Sequence, residues 1–165
     1  MSTLEQTAVV QVPFAQAADF VEEFFGAQKD GADYHLQLVV PGATIGVPGM
    51  TMEKDVRLRL LRERGPNQTI VFALHWAPEN GGPYPEFDGS LVVEQDETYE
   101  TCRLRLRGTY EPPLGIAGKV FDVAIGSRIA GATAHKLLER IDGFLTRGYL
   151  EREHEKRLQL LLRGA

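Results

Sequence analysis

A single cysteine, Cys102, is all the thiol chemistry in this chain of 165 residues. One thiol cannot form an internal disulfide, so a disulfide-stabilised fold is excluded. No apolar run approaches the length that crosses a bilayer, and the N-terminus lacks the basic and apolar segments of a secretion signal. We therefore expect a cytoplasmic protein with no integral membrane segment, in which Cys102 is a small core residue.

Short catalytic motifs are missing as well. The sequence contains no nucleophile elbow, no phosphate-binding loop and no dinucleotide-binding glycine pattern. Its four histidines lack the spacing of metal ligands; they are His35, His75, His135 and His154. The net charge of −5 and the mixing of arginines with acids give no reason to expect a nucleic-acid partner. We therefore predict no catalytic residue, metal or cofactor.

Alternating apolar residues predict a series of half-buried strands. The clearest has Phe72, Leu74 and Trp76 on one face. Similar patterns occur in the first twelve residues and around 34–40, 56–60, 91–93 and 98–110. An amphipathic helix over Phe14–Phe25 follows the first strand and ends at Gly26. The strands follow one another closely enough for an antiparallel meander, and 27–32 is predicted to be a loop.

A proline corner divides the last strand from a long helix. Pro112 and Pro113 must end the strand that contains Tyr110, because proline donates no ladder hydrogen bond. The period then becomes helical, and one apolar arc is predicted to lie on the sheet; it comprises Ile116, Val120, Val123, Ala130, Ala134, Leu138, Ile141 and Leu145. A second apolar side, in the first half only, comprises Phe121, Ile125, Ile129 and Ala132. The first half should therefore be enclosed on two sides.

Two features of the long helix leave alternatives open. Gly126 and Gly131 disfavour a helix interior, so they indicate either close packing on the sheet or room for a ligand. After Leu150, a stripe containing Leu158 and Leu161 points away from the sheet-facing arc. Either the helix breaks near Gly143 or Gly148, or this tail buries a second surface, as in a homodimer; a frayed charged tail is the third reading. We expect a domain over 1–149 and a helical extension over 150–165.

These residues resemble a known family. The resemblance rests on Trp76-Ala77, Pro85, Leu91, Gly118, Asp122 and above all GTYEPPLG at 108–115. They resemble the START-like helix-grip superfamily, also called SRPBCC or polyketide cyclase-like. The resemblance implies an α+β fold in which a curved antiparallel sheet wraps around a long C-terminal helix, with a short helix after strand 1. It also implies an apolar cavity between sheet and helix, and no single activity.

The predicted site is the lining of that cavity. Its candidate ligand-binding residues are Phe72, Trp76, Tyr110, Phe121, Ile125 and Arg128. Arg128 is the only charge between Val123 and Ala134, so it must snorkel, pair with an acid, or meet a ligand. The glycine- and proline-rich segment 41–50 is either a lid or a crossover packed on the core.

Three functions agree with the sequence. The first is a module that binds a hydrophobic small molecule, lipid-like or aromatic. The second is a polyketide cyclase or aromatase in which Arg128 or Tyr110 holds an enolate oxygen. The third is a non-enzymatic interaction protein that works through its helix face or tail. The first function requires only the cavity and no specific role for any one residue, and it is the function we predict.

Overall fold

The computed structural model describes residues 2–26, 29–30, 33–45, 48–49, 51–80, 84–111 and 123–164. The strands are β1 Ser2–Val10, β2 Lys29–Asp30, β3 Asp33–Pro41, β4 Thr51–Arg64, β5 Ile70–Pro78, β6 Glu86–Gln95 and β7 Cys102–Glu111. The α-helices are α1 Phe14–Gly26 and α2 Val123–Arg163. Two 3-10 turns occupy Gly42–Ile45 and Pro66–Gln68.

The strands form one antiparallel sheet in the order β1-β7-β6-β5-β4-β3-β2. Consecutive strands from β2 to β7 are neighbours, as the meander prediction requires, and β1 pairs with β7. The first strand therefore lies beside the last one, and the end of β7 leads towards α2. The predicted order of one strand, a helix, a meander and a long helix is confirmed.

The first segment of the meander differs from the prediction. The sequence predicts a loop over 27–32, but Lys29 and Asp30 form β2, which pairs with Tyr34 and Asp33 at the start of β3. A strand of two residues is too short to show a period in the sequence.

α2 covers one face of the sheet, as predicted. The described side chains of the predicted arc, Ala130, Ala134, Leu138, Ile141 and Leu145, are all buried. Leu137 is buried beside them. α2 is continuous over 41 residues, about 60 Å, so it does not break at Gly143 or Gly148. Gly148 lies where α1 crosses, because an added Cβ would be 2.7 Å from the Phe20 ring.

The other face of the sheet carries charge. Arg105 bonds Glu94 at 2.6 Å across the β6–β7 ladder, and Arg103 bonds Asp96 at 2.5 Å. Cys102 is on the inner face and fully buried, as predicted. Burial, with smaller contributions from Asp142 and Asp96, raises the pKa of the Cys102 thiol to about 12, so the thiol is protonated at neutral pH.

Some predicted features lie outside the described residues. They are the proline corner at 112–115, together with Ile116, Gly118, Val120, Phe121 and Asp122. The segment 41–50 is described only in part, through Gly42–Ile45 and residues 48–49. Within the described part of the chain, neither helix combines the length and the hydrophobicity that a bilayer span requires.

Candidate functional site

An aromatic row crosses the inner face of the sheet near the end of β7. The register places Trp76 opposite Phe87, and Phe87 opposite Tyr110. The Trp76 and Phe87 rings stack with centroids 4.1 Å apart at 15°. The exposed fractions of these three residues are at most 3%. The Trp76 indole N–H donates to the Pro85 carbonyl at 3.3 Å, which fixes the plane of the ring.

Next to the aromatic row, the sheet carries two opposed glycines. Gly89 of β6 pairs with Gly108 of β7, one step along the inner face from Phe87 and Tyr110. A Cβ added to either glycine would lie 2.7 Å from the tip of the Phe87 ring. The ring of Phe87 therefore lies over the glycine pair. We call the inner surface of the sheet at Gly89 and Gly108 the sheet floor; it is low because neither residue has a Cβ.

One hydroxyl pair connects this end of the sheet to α2. Tyr84, just before β6, makes a 2.6 Å hydrogen bond between its phenol oxygen and the Thr133 hydroxyl. Both side chains are buried, at 2% and 0% exposure. Among the described residues, Thr133 is the only buried side chain that is polar or charged apart from the tyrosines, tryptophan and cysteine. The inner face is thus apolar except for a few neutral hydrogen-bonding groups.

The protonation state of Tyr84 follows from its position. Burial raises its pKa well above that of an ordinary tyrosine, and the hydrogen bond with Thr133 offsets only part of the increase. At physiological pH the phenol keeps its proton. Tyr84 can therefore donate a hydrogen bond to an oxygen atom but cannot act as a base.

Among the described residues, no group of three or more histidine, cysteine, aspartate or glutamate side chains is close enough to hold a metal ion.

Solved structures with a similar fold provide an independent comparison. A protein of Thermus thermophilus is 13% identical, with a TM-score of 0.54, and the match covers 89% of this chain and 99% of that one. The Zhui aromatase/cyclase of Streptomyces sp. R1128 is 14% identical, with a TM-score of 0.52 and coverage of 88% and 92%. A conserved protein of Geobacillus kaustophilus is 12% identical, with a TM-score of 0.55 and coverage of 91% and 96%. No protein-family profile and no curated protein sequence matches the chain.

The architecture and these matches agree with the resemblance seen in the sequence. The chain has the helix-grip fold, with a curved antiparallel sheet around a long C-terminal helix. At these identities the matches establish the fold alone, and they span nearly the whole of each solved chain.

The predicted site residues do not all lie together in the structure. Trp76 and Tyr110 lie in one row, and Phe72 lies on the same face about 13 Å along β5 from Trp76. Phe121 lies outside the described residues, and of Ile125 only the backbone, in the first turn of α2, is described. Arg128 is exposed on α2. Within the described part of the chain it forms no ion pair.

Three residues of the site are absent from the sequence prediction: Tyr84, Phe87 and Thr133. Phe87 shares the period of Leu91 and Val93, but Gly89 interrupts the alternation and hides the start of β6. Tyr84 lies between two prolines and has no periodic signal. Thr133 could have been found by helical spacing, because it follows Ala130 and precedes Leu137 on the buried side of α2.

Proposed function

We propose that this protein binds an uncharged small molecule, apolar and ring-bearing, between the inner face of the sheet and the first half of α2. The observation that carries the proposal is the aromatic row of Trp76, Phe87 and Tyr110 next to the buried hydroxyl pair of Tyr84 and Thr133. Ligand sites in proteins commonly combine an apolar lining with a few fixed polar groups.

Ring stacking favours a planar ligand. Trp76 stacks on Phe87 within the protein, and its indole is anchored by the Pro85 carbonyl, so the buried row already favours contacts between flat rings. Flat ring faces contact another ring better than they contact a flexible acyl chain. Phe87 already fills the low floor at Gly89 and Gly108, so a ring that binds beside Trp76 would have to displace the Phe87 side chain.

Charge selection follows from the lining. Since none of the described buried side chains is an acid, a lysine or an arginine, a ligand carboxylate would be buried there without a partner. A carbonyl or hydroxyl oxygen suits the Tyr84 phenol, which is protonated and can donate. We therefore expect a neutral ligand with at least one oxygen.

Binding can be tested with the tryptophan of the chain itself, since Trp76 is the only one. Native mass spectrometry of freshly purified protein should show a co-purifying neutral compound. In fluorescence titrations, 2-(hydroxymethyl)anthracene should quench Trp76, whereas anthracene-2-carboxylate should bind at least about tenfold more weakly. Dodecanol serves as the flexible alkyl-chain comparison and should also bind more weakly than 2-(hydroxymethyl)anthracene.

Tyr84→Phe should weaken binding of the neutral ring about five- to tenfold, because the donor to its oxygen is lost. Tyr99→Phe is the matched control, since Tyr99 is 83% exposed and should bind as the wild type does. A protein that yields no bound compound and responds to none of the three probes would contradict the proposed function.

A cyclase reaction in the same space is the second candidate, and the fold shared with the Zhui aromatase/cyclase favours it. Tyr110 or Tyr84 would then donate a hydrogen bond to an enolate oxygen, while Arg128 would have to turn inward from its exposed position. The described inner face offers no buried carboxylate or histidine to remove a proton. Binding without turnover therefore fits better. The test is to incubate the protein with a poly-β-ketone analogue and measure the mass of the released compound. Loss of one water for each ring closed, with the wild type but not with Tyr110→Phe, would favour the cyclase.

A further inference from the structure

The free protein already fills its aromatic row. The Phe87 ring stacks on one face of the Trp76 indole, with the ring centroids 4.1 Å apart at 15°, and each side chain is only 1% exposed. The tip of the same ring lies over the sheet floor, 2.7 Å from the place that a Cβ would take at either glycine. Stacking is also the arrangement in which a planar ligand would contact the indole. Phe87 therefore occupies a position that the ring of a ligand would need.

The hydroxyl pair is closed in the same way. The Tyr84 phenol and the Thr133 hydroxyl bond each other at 2.6 Å. Among the described residues, no buried side-chain nitrogen or oxygen atom lacks a hydrogen-bond partner. Since the two side chains are 2% and 0% exposed, a ligand oxygen reaches the phenol only if one of the two hydroxyls moves. Such an exchange of one hydrogen bond for another gives a small net gain.

Both contacts come from one short segment, residues 84–87. Tyr84 lies just before β6, and Phe87 is paired in the ladder on both sides. Between them, the carbonyl of Pro85 accepts the Trp76 indole N–H at 3.3 Å. Four consecutive residues thus make the contacts that cover the indole and bind α2, so one local movement can release them together.

We propose that the Phe87 ring and the Thr133 hydroxyl are internal substitutes for the ligand, which close the site in the free protein and are displaced when the ligand binds. This role rests on the proposed function, because it concerns the same site. The ligand supplies a flat ring that replaces Phe87 against Trp76, and an oxygen that replaces Thr133 against Tyr84. Its affinity then includes the cost of leaving the closed state. Removing an internal substitute should therefore strengthen binding, whereas removing a ligand contact weakens it.

Thr133→Val tests the exchange of the oxygen, since valine keeps the shape of threonine but leaves Tyr84 without its internal partner. 2-(Hydroxymethyl)anthracene, titrated by quenching of Trp76, should bind this variant about five- to tenfold more tightly than the wild type. The gain should disappear when Tyr84→Phe is added, because the hydroxyl that the ligand captures is then missing. Thr146→Val is the matched control: its hydroxyl also lies on α2 but bonds Asp142 at 3.1 Å, and the variant should bind as the wild type does.

Phe87→Ala tests the exchange of the ring. Its binding of the same probe should be at least about tenfold tighter, because the face of Trp76 is then uncovered. Phe87→Leu removes the stack with a smaller loss of volume, so it should give a smaller gain and serves if the alanine variant does not fold. Phe25→Ala is the matched control for a new cavity, since Phe25 is 0% exposed and packs on Phe24 with ring centroids 5.1 Å apart. It should not strengthen the quenching of Trp76.

These titrations separate the closing role from the proposed function. If the wild type binds the probe but Thr133→Val or Phe87→Ala binds it equally or more weakly, the closing role is wrong and the ligand site stands. Weaker binding by Thr133→Val would mean that Tyr84 accepts from Thr133 while it donates to the ligand. A gain that persists with Tyr84→Phe, or an equal gain in Phe25→Ala, would also overturn the closing role. If neither the wild type nor any variant binds, the proposed function itself is wrong.

Discussion

Trp76→Ala is expected to lower the free energy of unfolding by about 3–5 kcal/mol. The side chain is 1% exposed, stacks on Phe87 and donates to the Pro85 carbonyl, so its loss leaves a cavity, an unstacked ring and a carbonyl without its partner. Domains of this kind are stable by about 5–15 kcal/mol, so the variant would lose a large part of its stability. Urea denaturation followed by far-ultraviolet circular dichroism measures the change.

Two further variants show which contacts of Trp76 matter. Trp76→Phe keeps a ring against Phe87 but removes the indole donor, and it should lose about 1–2 kcal/mol. Tyr99→Ala removes an aromatic ring that is 83% exposed and should change the stability by less than about 0.5 kcal/mol. A loss below about 1 kcal/mol for Trp76→Ala would mean that the aromatic row is not packed as described.

The sequence predicts the inner face better than it predicts the site. Alternation places Phe72, Trp76 and Tyr110 on buried strand faces, because period and burial are local properties of a strand. It does not give the register that puts Trp76 and Tyr110 in one row with Phe87 between them. Register depends on which strands are neighbours and on the turns that join them.

The hydroxyl pair illustrates the same limit over a longer distance. Tyr84 and Thr133 are 49 positions apart, and their contact exists only because α2 crosses the sheet at this point. Sequence reasoning instead chose Arg128, since a lone charge among apolar residues is conspicuous. In the structure Arg128 is exposed, which a helix permits when one side is in solvent, whereas the neutral pair is buried.

Glycine gives the sharpest test of the sheet floor, because the same substitution should have opposite signs at two positions. Gly108→Ala should destabilise the protein by about 1–3 kcal/mol. The added Cβ would lie 2.3 Å from the Asp88 carbonyl oxygen and 2.6 Å from the Gly89 Cα, and neither backbone atom can move without distorting β6. Gly143→Ala should instead stabilise it by about 0.8–1 kcal/mol, because Gly143 is exposed within α2 and its Cβ would meet nothing within 4 Å.

Paired urea denaturation curves of Gly108→Ala and Gly143→Ala test whether the glycine at position 108 is required for the close approach of β6 and β7. If both substitutions stabilise, β6 and β7 do not approach as closely as the register requires, and the low floor beneath Phe87 is wrong. If Gly108→Ala alone destabilises, the glycine pair is needed for the close approach of the two strands. The proposed ligand site then depends on it too, because the Phe87 ring can lie over the floor only where both Cβ atoms are missing.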